Sequence, residues 1–61
     1  MKEFTYLAEV KEKMTDAILK PKFIGSEKTK KDLVDFWGLE QDDIQWYRLF
    51  EVKEDGTKVE M

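Results

Sequence analysis

Apolar residues recur at every second position near the start of the chain, where Phe4, Tyr6, Ala8 and Val10 fall on one face of an extended segment. That spacing predicts a strand over Phe4 to Val10. Lys11 to Asp16 is polar and turn-like, and an extended apolar pattern resumes from Ala17 to Ile24 through Ile18, Leu19, Phe23 and Ile24. The two segments together predict a hairpin. Pro21 has no N–H for a ladder bond, which places the second strand at a sheet edge or a bulge.

Gly25 and Ser26 end this strand, and Thr29-Lys30-Lys31-Asp32 has the spacing of a capping box, in which hydroxyl and carboxylate each accept from the other residue's backbone N–H. A short helix is expected from there, with Ser26 as an alternative start. Leu33, Phe36 and Trp37 stand at i, i+3 and i+4 and predict the apolar stripe. Gly38 occupies the position of a left-handed C-terminal cap, followed by Leu39 as its hydrophobic companion.

The segment from Ile44 to Val52 carries the strongest strand pattern, with Ile44, Trp46, Phe50 and Val52 assigned to one face and Tyr47 and Leu49 to the other. Arg48 interrupts the first face, its stem lying over apolar neighbours. Asp55-Gly56 is the dipeptide of a type I′ hairpin turn. In that register Val52 faces Val59 and Phe50 faces Met61, but Lys53 meets Lys58 and Glu51 meets Glu60. The like-charge pairs predict a weakly paired terminal strand.

The expected fold is therefore α+β, a single domain over residues 1–61: a small antiparallel sheet of three to four strands in the order β-β-α-β, the fourth a short terminal strand, with one helix packed on one face. A chain of 61 residues buries only about 60% of the surface its unfolded form exposes. Small scaffolds usually add disulfides, a metal or a second subunit. With neither Cys nor His, disulfides and the usual transition-metal sites are excluded, leaving dimerisation or very good packing.

The same absences remove the common nucleophile and the side chain that titrates near neutrality, so an ordinary active site is not expected, and no cofactor is implied. No apolar run approaches the roughly 18 residues of a membrane span, and the N-terminus lacks the apolar core of a signal peptide, so a cytoplasmic location is the default expectation. The net charge of −3 argues against nucleic acid as a partner and is compatible with a basic one.

Three clusters are candidates for function. Glu40, Asp42 and Asp43, with Asp32 and Asp35 before them, read as a solvated helix face and turn, as an acidic contact surface for a basic partner, or as a general acid/base or oxygen-ligand cation site. Their spacing matches no calcium loop. Lys28, Lys30 and Lys31 sit at the helix start, where cations oppose the macrodipole; they read as a solvated first turn or as phosphate contacts, with Trp37, Trp46 or Tyr47 as stacking platforms. Finally, Leu33, Val34, Phe36 and Trp37 cannot all face the sheet from so short a helix. Some apolar surface must stay exposed, and such surface usually marks a binding site.

The stretch Asp32-Leu33-Val34-Asp35-Phe36-Trp37-Gly38, with Asp42-Asp43-Ile44 three residues on and then Arg48-Leu49, resembles the C-terminal half of the small uracil-DNA glycosylase inhibitors of short-tailed Bacillus phages. The resemblance implies a homodimer that occludes the enzyme without chemistry. In it, a hydrophobic pocket beside the helices captures the enzyme's DNA-intercalating apolar side chain, and acids imitate DNA phosphates. Trp37 falls on the family's helix-end aromatic. Leu33 stands where the family has its binding Phe, keeping the apolar role, whereas Val34 replaces the adjoining Glu; Asp35 is the nearest acid, on a different helical azimuth. The expected partner is a host glycosylase in the bacterial cytoplasm, and the expected contact residues are Leu33, Val34, Asp35, Trp37, Glu40, Asp42 and Asp43. The alternatives are a nucleic-acid-binding accessory protein and a phage or mobile-element interaction module.

Overall fold

The computed structural model describes residues 2–61. The order of elements is β1 (Phe4–Glu12), β2 (Ile18–Leu19), β3 (Lys22–Gly25), α1 (Lys30–Trp37), β4 (Ile44–Val52) and β5 (Lys58–Glu60). All pairings are antiparallel, in the spatial order β2-β1-β4-β5, with β3 also on β1. This is the α+β architecture expected from the sequence.

β2 and β3 are two halves of one edge strand. Val10 pairs with Leu19 and Leu7 with Lys22 in one unbroken register, and between them the Ala8 N–H donates to the Pro21 carbonyl at 3.0 Å. Pro21 cannot return that bond, so the ladder lapses there, on the edge where a missing donor costs least. The turn of this first hairpin includes Asp16 in the left-handed region at φ 55°, a conformation that Asp tolerates better than most residues.

The helix covers the face that β1 presents through Tyr6, Ala8 and Val10. These pack with Leu33, Val34, Leu39 and Leu49 into one buried cluster, with Phe4, Phe23, Trp37, Ile44, Tyr47 and Met61 packed around it. The capping box forms as expected: the Asp32 N–H donates to Thr29 Oγ1 at 3.2 Å and the Thr29 N–H to Asp32 Oδ2 at 3.1 Å. At the other end Gly38 adopts φ 64° and its N–H reaches the Asp35 carbonyl, while the Leu39 N–H reaches Val34 at 3.0 Å. That is a Schellman closure, and Val34 and Leu39 are its buried hydrophobic pair.

Three sequence expectations are corrected. The helical stripe is Leu33, Val34 and Trp37, not Leu33, Phe36 and Trp37: Val34 is 6% exposed and Phe36 65%. The Schellman closure draws Val34 under Leu39, which turns Phe36 outward. Ile44 does not share a face with Trp46. A one-residue shift in pairing, from Lys11 opposite Trp46 to Glu12 opposite Ile44, leaves Gln45 as the extra residue of a β-bulge. Ile44 is thereby delivered to the helix side.

The third correction is the terminal hairpin. The Gly56 N–H donates to Lys53 at 2.9 Å, the Lys53 N–H to Thr57 at 2.8 Å, and Gly56 stands at φ 90°. This is a three-residue loop with a glycine bulge, not a two-residue turn. Glu51 therefore faces Val59 and Val52 faces Lys58. The slip removes both like-charge pairs of the expected register, and the Met61 N–H donates to the Leu49 carbonyl at 2.9 Å, so pairing reaches the last residue.

Among the described residues no element covers the opposite face of the sheet. Strand alternation places Leu7, Trp46, Phe50 and Val52 there among charged side chains. No helix among the described residues is long and apolar enough to cross a membrane.

Candidate partner-binding site

The site expected from the sequence centres on the end of α1 and the turn to β4. Two backbone bonds fix that turn: the Ile44 N–H donates to Gln41 at 3.1 Å, and the Lys13 N–H, from the first hairpin's turn, donates to the Asp43 carbonyl at 2.9 Å. Gln41 folds back over Gly38, where a Cβ would meet Gln41 Nε2 at 2.6 Å. Gly38 is thus favoured for its left-handed φ, whereas the exposed Gln41 amide could swing away from a side chain there.

On one side of the turn lies an apolar groove of about 450 Å³, lined by Val10, Leu19, Pro21, Trp37, Leu39 and Ile44, with Lys20 at its rim. The cap positions Trp37 and Leu39, the bulge at Gln45 positions Ile44, and Leu19 and Pro21 line the groove from the edge strand. On the other side of the helix a second hollow of about 420 Å³ is lined by Lys30, Lys31, Val34, Asp35, Glu40 and Tyr47.

The expected contact residues are therefore divided. Leu33, 1% exposed, lies in the core and offers no surface to a partner, which removes it from direct contact. Val34 is buried too and contributes only the floor of the second hollow, beside Asp35 and Glu40. Trp37 is half-buried and opens onto the apolar groove. Asp42 and Asp43 are exposed on the turn that leads to Ile44 at the groove's wall. On the helix side of the sheet the exposed aromatic is Phe36, whose ring lies 5.5 Å from Phe23 and 6.0 Å from Trp37. The groove's other walls escaped the sequence reading, because Val10, Leu19 and Pro21 come from the first hairpin and meet Trp37 only through strand order.

The charges are largely solvated. Among the described residues the one ion pair is Lys53 to Glu51 at 3.2 Å, and no group of three or more acids is placed to hold a metal ion. Asp32 has its carboxyl held below the usual range, first by the Thr29 backbone N–H and then by its side chain, with Lys28 and Lys31 adding to the effect. Asp55 is lowered in the same way by Thr57. Both acids serve turns of the fold, and neither lines the groove.

No protein-family model matches the chain, and neither a curated protein nor a solved structure does.

Proposed function

We propose that this chain is a binding protein that blocks a DNA-processing enzyme without chemistry of its own, with uracil-DNA glycosylase as the target. The observation that carries the reading is the apolar groove under Trp37 beside a turn bearing Glu40, Asp42 and Asp43. Enzymes that take a base out of the DNA stack present a cationic track for phosphates. Proteins that distort the duplex commonly insert an apolar wedge between bases. An acidic turn suits the first feature and an apolar groove the second. Complementary charge speeds encounter, while burial of the wedge supplies the slow release.

The partner contact comprises Trp37, Asp42 and Asp43, with Val34, Asp35 and Glu40 on the flanking hollow. Phe36 supports the homodimer: an exposed aromatic on a thin core is the surface a second copy would cover. The test is a uracil-excision assay with purified protein added. Inhibition that Trp37→Ala weakens supports the reading, and full cleavage at large molar excess rejects the glycosylase as target.

A further inference from the structure

The net charge of −3 argues against nucleic acid only if the charge is evenly spread, and it is not. The uncovered sheet face carries Lys11 and Glu9 from β1, with Lys22 on β3 opposite Leu7. Arg48 stands opposite Glu9, and Lys58 opposite Val52. Lys20 reaches the same face, where Leu7, Glu9, Phe50 and Lys58 line one shallow depression with it. Glu60, opposite Phe50, and Glu3, beside Ile24 and Val52 just before β1, are the other acids. Five cations against three acids give this face +2, so the rest of the chain carries −5.

The same face holds aromatic surface. Trp46 is 36% exposed, with the Arg48 guanidinium 5.6 Å from its ring, and Phe50 lies four residues along the same strand, half-buried. Their Cα atoms are therefore about 13 Å apart at ~3.3 Å per residue. An open sheet face with flanking lysines, a Trp–Arg stack and a second aromatic along the strand suits an unpaired strand, which needs cations for its backbone and π-faces for its bases. Duplex DNA fits less well, because among the described residues the one helix lies on the opposite side of the sheet.

We infer that the uncovered sheet face is a binding surface for single-stranded nucleic acid, centred on Trp46 and Arg48 and flanked by Lys11, Lys20, Lys22 and Lys58. It lies on the opposite side of the sheet from the groove under Trp37, with Lys20 bordering both, and it holds or fails independently of the enzyme-blocking function.

The test is anisotropy of a fluorescein-labelled oligothymidylate of about 20 nucleotides. Five phosphate contacts at a slope of about −0.7 each give a log-log salt slope near −3.5, so affinity falls about 100-fold between ~50 and ~200 mM salt. The double variant Lys22→Glu with Arg48→Glu abolishes binding, and Trp46→Ala weakens it about tenfold, while Lys31→Glu on the helix leaves it unchanged. In a Trp37→Phe background the remaining fluorescence of Trp46 is quenched on binding.

Absence of binding at the lowest salt, or binding that survives the double reversal, overturns the inference. So does binding to vesicles of anionic phospholipid with none to the oligonucleotide, or a dimer that the double reversal converts to monomer, since the face would then belong to a membrane or a second copy. The face variants leave uracil excision assays unaffected, and Trp37→Ala leaves oligonucleotide binding unaffected, so failure of one site is read separately from failure of the other.

Discussion

Tyr6→Phe removes one oxygen from a residue whose ring is almost fully enclosed, 1% exposed, between Phe4 and Phe23 at centroid distances of 6.4 and 6.3 Å. The ring and its packing remain, so no cavity is expected. What is lost is the bond from the Lys28 N–H to Tyr6 Oη at 2.9 Å, which ties the segment before the helix to the central strand across 22 residues of sequence. A neutral hydrogen bond contributes about 0.5–1.5 kcal/mol net. Lys28 is half-exposed and water can partly replace the phenol, which places the cost near ~1 kcal/mol. In a domain of this length ~1 kcal/mol lowers Tm by about 4–8 °C. Thermal unfolding followed by circular dichroism reads that shift. Amide exchange at Lys28 should also accelerate about fivefold, the factor equivalent to ~1 kcal/mol. An unchanged Tm together with unchanged exchange at Lys28 would show that the bond contributes nothing and that the segment is held by packing alone.

Gly56→Ala meets open space but places a side chain at φ 90°; stability should drop by about 1 kcal/mol or more, seen as a lower urea midpoint, whereas Thr57→Val, which keeps the backbone donor to Asp55, should cost less. Asp32 and Asp55 both have folded pKa values below the unfolded value of about 3.9. Their stabilisation is thus fully present at neutral pH and is lost as pH falls through the folded values; an acid titration of stability should flatten below about pH 4 in Asp32→Asn relative to the parent. Leu33→Ala should cost about 2–5 kcal/mol, comparable with the whole stability of so small a core, and leave the chain unfolded at room temperature by near-ultraviolet circular dichroism. Light scattering should give twice the chain mass for the parent and a monomer for Phe36→Glu; a monomeric parent at micromolar concentration would contradict the dimer.

What was legible in the sequence was local. The period-two run from Phe4 to Val10, the Thr29 to Asp32 box and the Gly38 cap each depend on residues within one or two turns of each other, and each formed in place. What was not legible turned on single inserted residues and on tertiary contact. The bulge at Gln45 and the third loop residue before Thr57 each shift a register by one, which moves side chains to the opposite face. Neither has a signature as strong as the Asp-Gly pair that suggested the shorter turn. The choice between Val34 and Phe36 for the core was settled by the Schellman closure and the sheet beneath. Of the candidate site, the acidic turn and Trp37 were readable, but the groove walls from the first hairpin and the charge segregation between the two faces needed the strand order.

Whether the acidic turn and the groove under Trp37 grip a DNA-processing enzyme is read by titrating the protein into a uracil-excision reaction beside Trp37→Ala and the pair Asp42→Lys with Asp43→Lys. That mode of binding gives stoichiometric inhibition by the parent, a faster release for Trp37→Ala, and slower, less salt-sensitive association for the charge-reversed pair. Equal inhibition by all three proteins would contradict it, as would no inhibition by the parent.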